Sequence, residues 1–284
     1  MKRLAIFVHF DKHGRVDPYV QFYLRQLQDV TEDILFVTTS DLDEENLRIA
    51  ENLSNRMISR ENVGYDFMSY KIGLLSCDLS LYDEVLVCND SVYGPLYPIA
   101  ELMDRMSYES CDYWGITESF QFSHHLQSYF IVFKKKALDS AAFRSFWSDV
   151  KVIESKADLI LEYEIGLSTQ FQNAGLVQGV AVRIEDERKE ARKKMFSFLL
   201  RGEYKKARNI YKRCRDGGHF ACNTSLLFWD VLIRHHRIPF LKVAVLSHNA
   251  FGNKEVDSFC EIIHTLGQYP CDTIVQHQKR MKGL

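Results

Sequence analysis

The sequence predicts an α/β fold: a mixed, mainly parallel sheet with helices on both faces, followed by a helical C-terminal region. Three observations point there. Strand-like and helix-like patterns alternate from the start to about residue 185, as in a layered sheet-and-helix domain. Short apolar runs such as Glu84-Val-Leu-Val-Cys88 end abruptly in polar residues, which suits buried strands with their carboxyl ends at a ligand-binding edge. After Glu185 the chain turns to Lys- and Arg-rich amphipathic helix. With 284 residues, 46% of them hydrophobic, the chain can bury one large core, or one core and a smaller one. We expect domains at 1–186 and 187–284, joined by a linker near Glu185 to Lys189.

Strands are expected at Leu4 to Phe10, Ile34 to Thr39, Arg56 to Ser59, Glu84 to Asn89, Tyr113 to Thr117, Tyr129 to Lys134 and Val180 to Ile184. The intervals read as helices: Val20 to Leu27, Glu44 to Leu53, Asp66 to Leu75, Ile99 to Met106, Ala141 to Val150 and Ala157 to Asn173. The last of these is closed by Gly175. Between Arg188 and Arg215 stand twelve Lys and Arg against two Glu, with apolar residues spaced for two helices broken near Gly202. No run approaches the roughly 18 to 20 apolar residues of a membrane span, and the Met-Lys-Arg start leads into a strand without a signal-peptide pattern. The seven cysteines are odd in number, widely spaced and free of CxxC pairs, so reduced thiols in a cytoplasm are expected. A net charge of −2 and the lack of a nucleic-acid motif argue against a nucleic-acid partner.

Four segments carry the chemistry. In Arg60-Glu-Asn62-Val-Gly64-Tyr65-Asp66, a strand end leads through a glycine turn into a helix. A helix N-terminus beside an Arg suits a diphosphate or ribose, while Asp66 equally suits an N-cap. Asn89-Asp90-Ser91 offers hard oxygen ligands for Mg²⁺ or Mn²⁺, with Asp90 as the metal ligand, though the same residues also suit an Asx turn. Trp114 and Thr117, with His125, Gln127, Ser128 and Tyr129, would frame a sugar between an aromatic face and hydrogen-bonding groups. Strand alternation favours His125 over His124, in register with Gln127 and Tyr129. Glu164 borders the apolar stripe Leu159, Ile160, Tyr163, Leu167 and Phe171, where partial burial would raise its pKa toward that of a general base.

In this order, the segments resemble inverting GT-A glycosyltransferases of the large family 2 type. Asn62-Val-Gly64 matches the first loop, Asn89-Asp90-Ser91 the metal motif, and Tyr163-Glu164 the acidic pair, with Tyr163 in place of the first acid. The chain is more closely similar to the rhamnan synthesis protein F family of bacterial polysaccharide enzymes. The matching segments are Arg60 to Tyr70, Asn89 to Pro95, Trp114 to Thr117, His125 to Phe130, Phe146-Trp147, Asn223 to Trp229 and Ile238 to Lys242. The resemblance implies a GT-A-like (Rossmann-like) fold and transfer of a deoxysugar, L-rhamnose from dTDP-L-rhamnose, to a cell-surface polysaccharide or lipid-linked glycan. It implies Glu164 as base, with Asp90 and a divalent metal on the departing diphosphate. Arg60, Asn62, Gly64, Asp66, Asn89 and Ser91 would bind the donor nucleotide, and Tyr65 the substrate. Lys242 would reach the diphosphate, although a surface lysine is its default, and His248 is a more distant candidate. The enzyme would be cytoplasmic, and its basic helices suit either the anionic inner face of the membrane or a solvated surface. The competing readings are a non-catalytic GT-A-like scaffold subunit and a nucleotidyltransferase. The latter is disfavoured because Asp11-Lys-His-Gly14 lacks a glycine-rich phosphate loop.

Overall fold

The computed structural model describes residues 1–120, 122–183, 187–213, 223–249, 258–267 and 269–283. The strands are β1 (Arg3–His9), β2 (Asp33–Thr38), β3 (Arg56–Ser59), β4 (Glu84–Asn89), β5 (Val92–Tyr93), β6 (Tyr113–Gly115), β7 (Glu118–Ser119), β8 (His125–Leu126), β9 (Phe130–Lys134), β10 (Gln178–Val180) and β11 (Leu241–Lys242). Seven of them form one sheet in the order β10-β6-β9-β4-β1-β2-β3. Only β9 runs against its neighbours, antiparallel to β4 and β6. The sheet is therefore mixed and mainly parallel, as expected.

The helices are α1 (Pro18–Gln28), α2 (Glu44–Leu53), α3 (Tyr65–Leu75), α4 (Ile99–Ser107), α5 (Lys135–Leu138), α6 (Ala141–Asp149), α7 (Lys156–Leu159), α8 (Ile165–Asn173), α9 (Glu187–Leu200), α10 (Tyr204–Arg213), α11 (Thr224–Leu227), α12 (Trp229–His236), α13 (Val243–Ser247), α14 (Phe259–His264) and α15 (Cys271–Met281). Alternation along β1 splits the core in two. Leu4, Ile6 and Val8 face α3, α6 and α8 through Phe67, Trp147 and Phe171. Ala5 and Phe7 face α1 and α4, and that core continues without a break into the C-terminal helices through Phe198, Trp229 and Ile274. Burying such side chains contributes roughly 1.5–3 kcal/mol each, so the C-terminal region is held to the sheet by its own apolar surface.

The structure revises several expectations. Strand β6 stops at Gly115 and β10 covers Gln178–Val180, while Ile184 and the first two residues of the expected linker, Glu185 and Asp186, lie outside the described residues and the rest of that linker belongs to α9. The helix expected from Ala157 to Asn173 is interrupted by a π turn at Ile160–Glu164, whose extra residue per turn no side-chain pattern announces. Its end is as expected: Gly175, at φ +76°, lets the Leu176 N–H reach Phe171 O (3.0 Å) while its own N–H reaches Gln172 O (2.9 Å). The basic segment forms α9 and α10 on either side of Gly202, with Cys214 and Arg215 outside the described residues. Cys260 and Cys271 are joined in a disulfide, contrary to the expectation of reduced thiols. The packing of α14 beside α15 brings them together, which their spacing in sequence does not reveal. Among the described residues no helix is long and apolar enough to cross a membrane.

Candidate active site

The site forms at the carboxyl end of β4, where backbone geometry brings three segments together. Asn89 is buried and works in two directions. Its Oδ1 accepts from Ser91 N (3.1 Å) and Ser91 Oγ (2.6 Å), closing a turn, while its Nδ2 donates to Asp66 Oδ2 (3.0 Å) on α3. The motif thus forms the turn, and Asn89 ties Asp66 to the residue beside Asp90. Asp90 Oδ2 accepts from the Phe10 N–H (2.8 Å) at the end of β1, and its carbonyl accepts from Tyr19 OH (3.0 Å).

The N-cap of α3 is Gly64, not Asp66. Gly64 holds φ +75°, and a Cβ there would sit 3.0 Å from Met68 Cβ and 3.4 Å from the Val152 backbone, so the position suits glycine. Asp66 falls in the first turn, free to face the site. Burial lifts its pKa to about 6, with Lys156 opposing the rise and the negative charge of Glu164 adding to it. Asp90 is raised too, first by burial and against the pull of the Phe10 N–H, with the charges of Asp66 and Asp11 adding to it. Two acids are thus held together at an energetic cost that a cation would relieve. Their hard oxygens fit Mg²⁺ or Mn²⁺, with Asp90 and Asp66 as the residues to hold it.

Glu164 closes the π turn and points across the site. Its Oε1 accepts from Ser128 Oγ (2.5 Å), and its Oε2 lies 3.4 Å from His125 Nε2. Burial pushes its pKa up, but His125, Ser128 and the nearby Lys242 outweigh burial and hold it below the ordinary carboxylate value. The expected upward shift is therefore overturned, because burial here comes with partners that prefer the ionised form.

Lys242 is not a surface lysine. Strand β11 pairs antiparallel with β5, setting Lys242 opposite Val92, two residues past Asp90, and the Val243 N–H donates to Ser91 O (2.9 Å). The Lys242 Nζ lies 5.1 Å from the Tyr129 ring centroid. Burial lowers its pKa to about 8 against the attraction of Glu164, with Lys156 lowering it further and Asp66 opposing.

The other candidates do different work. Arg60 turns back on its own loop, donating to Val63 O and to Ser69 Oγ (3.3 Å), and Asn62 is exposed in that loop. Tyr65 is exposed, at φ +53°, and its hydroxyl donates to Glu154 O (2.8 Å). Trp114 is 1% exposed and packs against Phe130 in the core, so it presents no face to a sugar. Thr117 donates to Gln127 Oε1 (2.7 Å) and lies 2.9 Å from Tyr129 OH, while Gln127 Nε2 donates to Asn223 Oδ1 (3.0 Å) in a buried network. The register argument for His125 also fails, because residues 128–129 form a turn between β8 and β9 that breaks strand alternation. His125 nonetheless meets Glu164, whereas His124 pairs with Glu118 (2.6 Å). His248 is exposed and paired with its neighbour Ser247.

Two participants were not singled out from sequence. Lys156 opens α7 behind the Ser155 N-cap and acts on both Asp66 and Lys242. The run Ser155-Lys-Ala-Asp158 marked the helix start but not what it faces. The Tyr70 hydroxyl donates to Ser128 O (3.0 Å), fixing the residue that fixes Glu164.

The model of the family described as rhamnan synthesis protein F matches residues 34–200. An uncharacterized protein, y4gN, of Sinorhizobium fredii (strain NBRC 101917 / NGR234) is 33% identical over 143 residues, covering 46% of this chain and 37% of that protein. Virulence protein VirA of Vibrio anguillarum (strain ATCC 68554 / 775) is 31% identical over 148 residues, covering 50% of this chain and 47% of that one. The chain thus matches less than half the length of these relatives. Among solved structures, glucosyl-3-phosphoglycerate synthase from Mycobacterium tuberculosis with Mn²⁺ and UDP-glucose overlaps loosely, at 11% identity and TM-score 0.42 over 71% of this chain and 78% of that one. A 4-diphosphocytidyl-2C-methyl-D-erythritol synthase from Anaerococcus prevotii does so at 12% and 0.40, over 66% and 92%.

Proposed function

The chain belongs to the rhamnan synthesis protein F family, and from that premise we propose that it is an inverting glycosyltransferase moving a deoxysugar, L-rhamnose from dTDP-L-rhamnose, onto a cell-surface polysaccharide or lipid-linked glycan. The observation that carries this reading is the convergence of an ionised, doubly held carboxylate (Glu164) with an acid pair (Asp66, Asp90) and a partly buried ammonium (Lys242) at the end of β4. Such a set serves a single in-line displacement. Glu164 takes the proton of the acceptor hydroxyl, the acceptor oxygen bonds to the anomeric carbon, and the diphosphate leaves with the electrons of the broken C–O bond. Lys242 neutralises the departing charge from one side. A divalent ion held by Asp90 and Asp66 would supply further charge stabilisation there.

The α9–α10 hairpin supports a peripheral contact with an anionic membrane that presents the acceptor. Phe196, Leu200 and Tyr204 are 60%, 74% and 69% exposed beside Arg192, Lys205 and Arg208, a combination of apolar and basic groups suited to a lipid surface.

Calorimetric titration with dTDP-L-rhamnose and dTDP, with and without Mn²⁺, on wild type and Asp90→Ala tests the reading. Binding that weakens without the metal and in the variant is the expected result. Failure of both nucleotides under every condition, while the protein stays folded, would return the scaffold-subunit alternative.

A further inference from the structure

His125 is 2% exposed and has both ring nitrogens engaged. Nδ1 lies 2.8 Å from the carbonyl oxygen of Ser123, and since a carbonyl only accepts, this nitrogen carries a hydrogen. Nε2 lies 3.4 Å from Glu164 Oε2. Were Nε2 bare and Glu164 ionised, two lone pairs would face each other where water is scarce, which is the costliest arrangement of the contact. One proton therefore lies between them. The Ser128 hydroxyl on Oε1 and the Lys242 ammonium both favour the ionised carboxyl, which leaves that proton on the ring. Among the described residues, the other charges near the pair include Asp66 on α3, Lys156 on α7, and Glu118 of the same β7–β8 hairpin, which is held by His124 and Arg183. Tyr70 secures Ser128 from behind, so the pair is anchored on both sides.

With Glu164 read as the base, we propose that His125 is a positioning residue: as an imidazolium fixed by Ser123, it keeps Glu164 ionised and aimed at the acceptor hydroxyl. The pair holds one proton at rest. As the acceptor O–H breaks and its oxygen bonds to the anomeric carbon, the proton goes to Glu164 and the pair holds two. The second is released to solvent with product, restoring the resting state. The arrangement trades base strength for a carboxylate that is always charged and always in place.

The test has two arms. The first records kcat and KM against pH for wild type, His125→Ala and His125→Gln. Losing the imidazolium raises the pKa of Glu164, so the ionised base survives only at higher pH. The acid limb of kcat should then move up by about one pH unit in His125→Ala, a tenfold loss on the acid side, with KM little changed. His125→Gln, which keeps a donor without the charge, should fall between. A uniform drop at every pH with the limb in place would mean a merely structural histidine and overturns the proposal. The second arm reads the His125 ring nitrogens by ¹⁵N NMR at about pH 7. A doubly protonated ring in wild type that becomes singly protonated in Glu164→Gln supports the pair, and a singly protonated ring in wild type overturns it. This arm decides the pair even if no nucleotide sugar is turned over, a result that would refute the transferase reading separately.

Discussion

Asp11 and Asp17, in the loop between β1 and α1, and Asp66 and Asp90, on α3 and at the end of β4, are two acid pairs near the same edge of the sheet. The first pair is closed: Arg280 from α15 sits on both carboxylates, 2.5 Å from Asp11 Oδ2, and His277 of the same helix lies 3.8 Å from Asp17. Burial would push Asp11 up, but the guanidinium and two backbone N–H groups hold it below its ordinary value. Asp11, Asp17 and His277 are spaced as metal ligands would be, within 4.8 Å, yet a guanidinium already holds both acids. The second pair is raised by burial and by like charge. The first cluster fastens a helix through a guanidinium, whereas the second, hydrogen-bonded by Asn89 and the Phe10 N–H, keeps raised pKa values of the kind found at functional sites.

The largest expected effect comes from removing the base. Glu164→Gln should lower kcat by about 10²- to 10⁴-fold while leaving donor affinity nearly unchanged, as measured by turnover and calorimetry side by side. A comparable loss of affinity would instead place Glu164 among the donor contacts.

Next is the closed cluster. Arg280→Met strands two buried acids and should cost about 2–3 kcal/mol in urea unfolding, the low side for a broken buried pair because a fifth of the Arg280 side chain stays in solvent. Donor affinity per folded molecule should hold. If stability is unchanged, the latch is decorative and the contrast between the clusters collapses.

Lys242 gives a smaller, pH-dependent effect. Its pKa near 8 means the ammonium is lost as pH rises through that value, so diphosphate affinity should fall about tenfold from pH 7 to 9. Lys242→Met should bind weakly at both ends, and a wild-type affinity flat across this range would remove Lys242 from the site.

The smallest effect separates the clusters by sign. An acid with a raised pKa destabilises the folded state once ionised, so Asp66 should cost stability above about pH 6, on the order of 1 kcal/mol. Asp11, held low, contributes stability above its unfolded value that is lost as pH falls through its folded one. Asp66→Asn should therefore be stabilised relative to wild type near pH 7, and the difference in melting temperature between the two ligand-free proteins should shrink as pH drops to about 5.

What the sequence made legible was local. Apolar runs located six of the seven sheet strands to within a residue or two, the exception being β10 at Gln178–Val180, and the abrupt change from Cys88 to Asn89 marked the carboxyl end where the acids gather. Gly175 ended its helix as its identity demands. What stayed hidden depends on distant partners. Lys242 looked superficial because nothing near it in the chain discloses that β11 will pair with β5. The π turn that aims Glu164, and the two-residue turn that frees His125 and Ser128 from strand alternation, leave no periodic trace. Trp114 shows the reverse error, since an aromatic near a strand end suits a sugar platform or a core equally well until the opposite face is known.

The pairing of β11 with β5 also sets an order of assembly. Every strand of the main sheet and every acid of the site precedes residue 181 in the chain, and Lys242 follows them. During synthesis from the N-terminus, Glu164 is made before Lys242, one of the partners that favour its ionised form, so that part of its compensation is missing until the segment carrying Lys242 docks. That late arrival makes closure of the tail and charging of the active site a single event.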